Sequence, residues 1–156
     1  ARDGAELIIA DFVTERAESL ASELGARVAD KEAILFEDVD VVSPNALGAV
    51  LNEVSVAKLK CRIVAGGANN QLSVPKIGDQ LAEAGILYAP DYVINAGGII
   101  DIYHQKQADS SDQAMREHLA KIGDTLIEVY ERAEAENAPT NLVANRIAEE
   151  RFAKRG

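Results

Sequence analysis

The chain has no tryptophan, one methionine, one cysteine and two histidines in 156 residues. A lone cysteine cannot close a disulfide within the chain, so no framework of bridges holds the fold. Cys61 opens an apolar run and reads as a buried thiol, which suits a reducing cytoplasm. One cysteine with two separated histidines, His104 and His118, does not supply the ligands of a structural zinc site. Basic residues are also in deficit: 16 Lys and Arg stand against 26 Asp and Glu, a net charge of -10. That balance argues against nucleic acid and against an anionic membrane surface as partners, since both call for a positive footprint. No apolar run approaches the roughly 20 residues that cross a bilayer. The first residues carry no signal-peptide pattern.

What is present is apolar content, 47% of residues, enough at this length for one domain with a core of its own. Ala1 to Gly4 read as the tail of something preceding. Glu6 to Asp11 is a short apolar run ending in a carboxylate, the pattern of a buried parallel strand. Thr14 is placed to cap a helix that Gly25 ends. Arg27-Val28-Ala29 is a short strand. Val39 to Val42 is another, stopped by Ser43-Pro44. Asn45 to Asn52 reads as a turn with a short helix, and Val56 to Lys60 as a second helical piece. Arg62 to Ala65 is the next strand, followed by Gly66-Gly67-Ala68-Asn69-Asn70. Ile77 to Ala84 is a helix closed by Gly85, and Ile86-Leu87-Tyr88 is a strand. In the last third, Ser110 and Gln113 match a capping box. Met115, Leu119, Ile122, Leu126, Val129 and Ala133 repeat at helical spacing to about Glu136. Asn137-Ala138-Pro139 breaks that helix, and Thr140 caps a final one running to about Phe152.

Short apolar strands alternating with helices predict an α/β fold with a mostly parallel sheet. Ligands in such sheets sit at the carboxyl ends of the strands. The chemically unusual residues fall at those ends: Asp11, Ser43-Pro44-Asn45, Gly66 to Asn70, and Asp91 to Gly98. The stretch from Tyr88 to Ile100 is the richest. It breaks at Pro90, which cannot donate to a ladder, and delivers the amide of Asn95 against Gly97 and Gly98, where a flat ring or a backbone can come close. An asparagine offers two donors and an acceptor without charge. It can bind ribose hydroxyls, a carboxamide or a carboxylate without fixing a charge beside a ring that alternates between cationic and neutral forms. A plain helix cap would use one asparagine; Asn69 and Asn70 are two. Asp11 has the position of the acidic residue of a dinucleotide fold, but no glycine fingerprint precedes it. His104 reads as an exposed or hinge residue, and His118 as surface. Asp91 and Asp101 read as helix caps, with lining the cleft as the alternative for either, and Tyr88, Tyr92 and Tyr103 as packing at the rim.

Three stretches, Pro44-Asn45-Ala46-Leu47-Gly48-Ala49-Val50-Leu51-Asn52, Ala65 to Leu72, and Tyr88 to Gly98, resemble the amino-acid dehydrogenase family that includes the glutamate, leucine, phenylalanine and valine enzymes. The likeness is nearest to its leucine-acting members and runs on through Arg146 to Arg151. It implies a Rossmann-like, mostly parallel sheet with flanking helices, lacking its first strand and glycine-rich loop. Residues 1–110 would be a partial dinucleotide-binding domain. Residues 111–156 would be C-terminal helices packing back toward a substrate domain that has no counterpart here. The implied activity is reversible NAD-dependent oxidative deamination of a branched-chain L-amino acid (leucine, valine or isoleucine) to a 2-oxo acid and ammonia. An aromatic substrate, or a non-catalytic nucleotide-binding module, is the alternative. By resemblance, Asp11 holds the adenine ribose, Ala46 and Leu47 form a ledge under NAD, and Asn69 and Asn95 lie beside the nicotinamide half. Asn70, Ile99 and Ile102 match substrate-binding positions. Catalytic groups are expected outside this stretch, no metal is implied, and the complete enzyme is expected to be a cytoplasmic homo-oligomer.

Overall fold

Every strand of this chain is short because each apolar run is cut within a few residues by a carboxylate, a proline or a glycine. The structure is a computed structural model describing residues 4–107 and 109–154; the expected preceding tail at Ala1 to Gly4 lies outside them except for Gly4. In order, the elements are β1 (Ile8–Ile9), α1 (Thr14–Leu24), β2 (Arg27–Val28), a 3-10 turn (Ile34–Phe36), β3 (Val41–Val42), α2 (Glu53–Val56), β4 (Ile63–Val64), α3 (Ile77–Glu83), β5 (Leu87–Tyr88), α4 (Asp91–Ile94), α5 (Gly97–Gln105), α6 (Asp112–Glu136) and α7 (Thr140–Ala153). All strand pairs are parallel. β1 pairs with β2, Ile8 opposite Arg27. β4 is flanked by β3 and β5, with Ile63 opposite Val41 and Leu87. The fold is therefore α/β with parallel sheets and flanking helices, as the alternation of runs predicts, but among the described residues no strand joins the two sheets.

The main core lies around β3–β5. Val42, Val64 and Tyr88 meet Leu51, Val56, Cys61, Ile77, Leu81 and Ile86. Cys61 is a buried free thiol, and burial pushes its pKa up, which keeps it neutral. A second core joins Val129 and Ala133 of α6 to Val143, Ala144 and Ile147 of α7, with Val93 of α4 packed against it. The apolar stripe of α6 is buried unevenly. Met115, Leu119, Ile122 and Leu126 are half-buried, whereas Val129 and Ala133 are buried. Arg132 reaches from α6 to both carboxylate oxygens of Glu150 on α7 at 2.9 Å, Arg151 bonds Glu128 at 2.7 Å, and Arg146 pairs with Glu136.

Helix ends differ from expectation where another acceptor competes. Asp11 Oδ1 accepts the Val13 N–H at 2.8 Å, so Val13 takes the cap position and Thr14 is the first helical residue. Ser111, not Ser110, caps α6 by accepting the Ala114 N–H. Ser110 is instead engaged with His104, its Oγ 2.6 Å from Nδ1. Thr140 follows Pro139 as the first residue of α7, and its hydroxyl donates to the Tyr88 carbonyl at 2.7 Å, tying α7 to β5. The expected helix within Asn45 to Asn52 is absent. Ala49 has φ +57°, and its N–H goes to Asn70 O at 2.7 Å rather than to a helical partner. In place of the two expected pieces, one short helix lies between them, after Asn52 and ending where the piece expected at Val56 to Lys60 would begin. Asn52 accepts from the Val54 and Ser55 amides while Ser55 Oγ accepts the Asn52 N–H, a reciprocal cap over Glu53–Val56.

Candidate functional site

Parallel strands place their carboxyl ends, and the loops that follow, on one side of the sheet. The loops after β3 and β4 are joined there backbone to backbone, and the loop after β5 is tied to them through side chains. Ala68 N–H donates to Pro44 O at 2.9 Å, and Leu51 N–H to Gln71 O at 3.0 Å. Asn45 Oδ1 accepts the Gly67 N–H at 2.8 Å. Two glycines are required for this closeness. A β-carbon on Gly66 would lie 2.6 Å from Pro44 Cδ and nearer still to Pro44 O, and one on Gly48 would lie 2.8 Å from Asn69 O.

The amides meet on this rim. Asn95, at the carboxyl end of α4, donates from Nδ2 to Asn69 Oδ1 at 2.6 Å. Asn69 and Asn70 are exposed and Asn95 is half-buried. Asn70 sits in the left-handed region at φ +54°, and its N–H donates to Asp91 Oδ2 at 2.6 Å. Beneath the loop, the fully buried Gln71 donates from Nε2 to Gly66 O at 2.6 Å and to Ala68 O at 3.0 Å. Sequence reasoning left Gln71 out; the signal was an amide directly after two asparagines. Tyr88 lies below Asp91, and desolvation with the adjacent carboxylate drives its pKa well above the usual phenol range. Burial raises Tyr92 to about 12, with Asp91 adding to the shift; its single O–H is shared between Asn145 Oδ1 at 2.7 Å and Asn141 O at 3.0 Å on α7.

Other expected site residues fall into two groups. Ala46 and Leu47 are exposed in the loop after β3, Leu47 at 58%. Ile99 and Ile102 project from α5 at 71% and 52% exposure, whereas Ile100 between them is buried. Asp11 stands at the end of β1, and no hydrogen bond or ion pair among the described residues links it to the loops after β3, β4 and β5. Three of the four unusual strand ends are thus brought together by contacts, and the fourth is not. Asp101 does not cap a helix but lies within α5, accepting from Gln105 Nε2 at 2.8 Å. His104 and His118 are half-buried and face each other, Nε2 to Nδ1 at 3.1 Å, with Tyr103 edge-on to both. Half-burial of both rings departs from the exposed reading of His104 and the surface reading of His118, because α5 packs against α6 there. A separate open cleft of about 370 Å³ lies between α3, β5 and the turn joining α6 to α7, and neither Asp11 nor any rim asparagine lines it.

The donor set suits a dinucleotide in part. Amides without charge line one side, Asp11 offers a carboxylate oxygen that Val13 does not use, and open space lies over Gly98, where an added β-carbon would meet nothing within 4 Å. No glycine-rich phosphate turn lies between Asp11 and a preceding strand among the described residues.

Residues 6–155 match the family described as Glutamate/Leucine/Phenylalanine/Valine dehydrogenase. The leucine dehydrogenase of Thermoactinomyces intermedius is 41% identical over 150 residues, covering 96% of this chain and 41% of that protein. The L-tryptophan dehydrogenase of Nostoc punctiforme is 40% identical over 148 residues, covering 94% of this chain and 42% of its own length. Its crystal structure superposes with a TM-score of 0.91, covering 97% of this chain and 47% of that one. The chain thus spans about two fifths of the length of the curated relatives it matches.

Proposed function

The chain belongs to the glutamate/leucine/phenylalanine/valine dehydrogenase family, and from that premise we propose that it is the NAD-binding portion of an enzyme that reversibly deaminates a branched-chain L-amino acid to its 2-oxo acid. The observation carrying this reading is the pair Asn69–Asn95, two uncharged amides locked 2.6 Å apart where the loops after β4 and β5 meet. When bound, the nicotinamide supplies the acceptor and donor of hydride, the part of the chemistry that side chains cannot perform.

The chain's own residues bind and orient. Asp11 accepts from the adenine ribose hydroxyls. Ala46 and Leu47 give a small, apolar ledge. Asn69 and Asn95 hold the nicotinamide end without adding a charge beside a ring whose own charge changes. Asn70, Ile99 and Ile102 face the amino acid. The asparagines and apolar side chains among these have no proton to exchange with substrate and Asp11 is given to the ribose, so this reading puts the general acid and base in the part of the enzyme beyond this stretch. The half-buried amino-terminal half of α6 is suited to meet that part. The complete enzyme is read as a cytoplasmic homo-oligomer; the acidic composition disfavours nucleic acid and anionic membrane surfaces as partners, and among the described residues no helix is long and apolar enough to cross a membrane.

The competing substrate is aromatic, favoured by the close superposition on the tryptophan enzyme. One assay separates the readings: NADH formation by the complete polypeptide with NAD and a panel of L-amino acids. Turnover of leucine, valine and isoleucine ahead of phenylalanine and tryptophan supports the proposal. The reverse order selects the aromatic reading, and no turnover of any amino acid selects a non-catalytic nucleotide-binding module.

A further inference from the structure

The short helix α4 carries two polar side chains four residues apart, Asp91 and Asn95, which lie on one face of a helical turn. They grip consecutive residues of the neighbouring loop. Asn95 holds the side chain of Asn69, and Asp91 holds the backbone N–H of Asn70. Asp91 is itself fixed. Its Oδ1 accepts from the Tyr88 hydroxyl at 3.0 Å, and that hydroxyl in turn accepts the Asp91 N–H at 3.2 Å. Tyr88 is 2% exposed, so the carboxylate is anchored to the core at one oxygen and to the loop at the other.

The residue it holds is the one whose backbone needs holding. Asn70 is in the left-handed region at φ +54°, which an L-residue adopts at a cost that the surroundings must offset. A carboxylate accepting a backbone N–H makes one of the stronger hydrogen bonds available. The carbonyl of the same residue accepts from Ala49 in the loop after β3. One carboxylate therefore sets the turn that joins all three loops and aims both rim asparagines. We propose that Asp91 is a positioning residue for the Asn69–Asn70 amide site, an inference that rests on the cofactor-and-substrate reading of that site. The carboxylate acts through the loop and does not touch the substrate.

The test uses the complete enzyme with Asp91→Ala, Asp91→Asn and Asn69→Ala. The readouts are the NADH dissociation constant from fluorescence titration, kcat/KM, melting temperature and hydrogen exchange at the Asn70 amide. Asp91→Ala removes the acceptor; kcat/KM should fall roughly 10- to 100-fold, NADH should bind more weakly, and the Asn70 amide should exchange faster. Asp91→Asn keeps a neutral acceptor for that N–H and should recover most of the loss, to within about two- to fivefold of the unmutated enzyme. A lower melting temperature with unchanged NADH affinity and kcat/KM in Asp91→Ala would reduce Asp91 to a packing support of the loop and overturn the proposal. If Asn69→Ala weakens NADH binding while Asp91→Ala does not, the positioning role fails and the amide site stands. If neither variant changes NADH binding or kcat/KM, the amide-site reading fails and takes the inference with it. Should Asp91→Ala not fold, Asp91→Asn decides: a two- to fivefold weaker NADH affinity with faster Asn70 exchange supports the role, and unchanged values overturn it.

Discussion

Gln71 offers the sharpest test of how the rim is held together. The side chain is fully buried and donates to Gly66 O and Ala68 O, while its own Oε1 has no partner. In Gln71→Leu the shape is nearly kept and both donors vanish. Two buried carbonyls then lose a partner, at about 1–3 kcal/mol each, while the removal of an already unpaired amide oxygen returns about 1–3 kcal/mol. The net destabilisation is about 1–3 kcal/mol. For a domain of this size that lowers the melting temperature by about 2–4 °C per kcal/mol, readable by calorimetry on the complete polypeptide. Gln71→Glu should be worse. A carboxylate has no donor, so it faces the same two carbonyls with like polarity and adds a buried charge. An unchanged or raised melting temperature in Gln71→Leu would refute the reasoning, since it would mean that neither carbonyl depends on the amide.

Three further outcomes are expected. Asp11→Ser should narrow the preference for NAD over NADP measured as kcat/KM, because the carboxylate that repels a 2′-phosphate is gone; equal use of both cofactors by the unmutated enzyme would refute the role given to Asp11. Ile99→Ala should shift the leucine-to-phenylalanine ratio of kcat/KM toward phenylalanine by the equivalent of about 1–3 kcal/mol, and at 71% exposure it should leave the melting temperature nearly unchanged. Bonding to Arg132 holds the Glu150 carboxyl below its usual 4.5, so the pair's stabilisation is complete above that value and is lost as pH falls through the lower folded pKa. Melting temperature against pH from 7 to 3 should therefore fall less steeply in Arg132→Gln, and an unaltered slope would show that the pair contributes nothing measurable.

Much of the architecture was legible because it rests on local signals. Gly25, Gly85 and Asn137 end helices in the left-handed region as their types predict. The spacing from Met115 to Ala133 located α6 to within a few residues. What was not legible depends on competition between partners that sequence spacing does not rank. Thr14, Ser110 and Thr140 are all good capping types, yet Asp11, His104 and the Tyr88 carbonyl redirect the arrangement at those three ends. The same holds at the rim. The glycines and asparagines marked the loops, but the contacts Asn95–Asn69 and Asp91–Asn70 span 26 and 21 residues and follow only from the register of β4 against β5. Asp91 read as a helix cap, yet neither oxygen caps α4: one accepts from the Tyr88 hydroxyl and the other from an amide on a different loop.

On the proposed reading, this chain's residues do not decide substrate choice alone, and the geometry of α5 says why. Ile99 and Ile102 lie three residues apart on α5, so they share one face, and both are exposed. A pocket wall needs an opposite wall, and none of the described residues closes over that face. One face bearing two β-branched side chains favours a branched aliphatic group by contact and narrows the room for an indole, but only if the opposing surface stands at a distance that makes the methyl groups matter. A leucine enzyme and a tryptophan enzyme match this chain almost equally, at 41% and 40% identity. Relatedness over this stretch therefore does not choose between them. The deciding quantity is the gap between the α5 face and whatever the rest of the enzyme places across from it. Size variants at Ile99 and Ile102 measure that gap directly: a double truncation that raises tryptophan turnover without lowering affinity for NADH would show that these two side chains, and not the amide site, set the limit on substrate size.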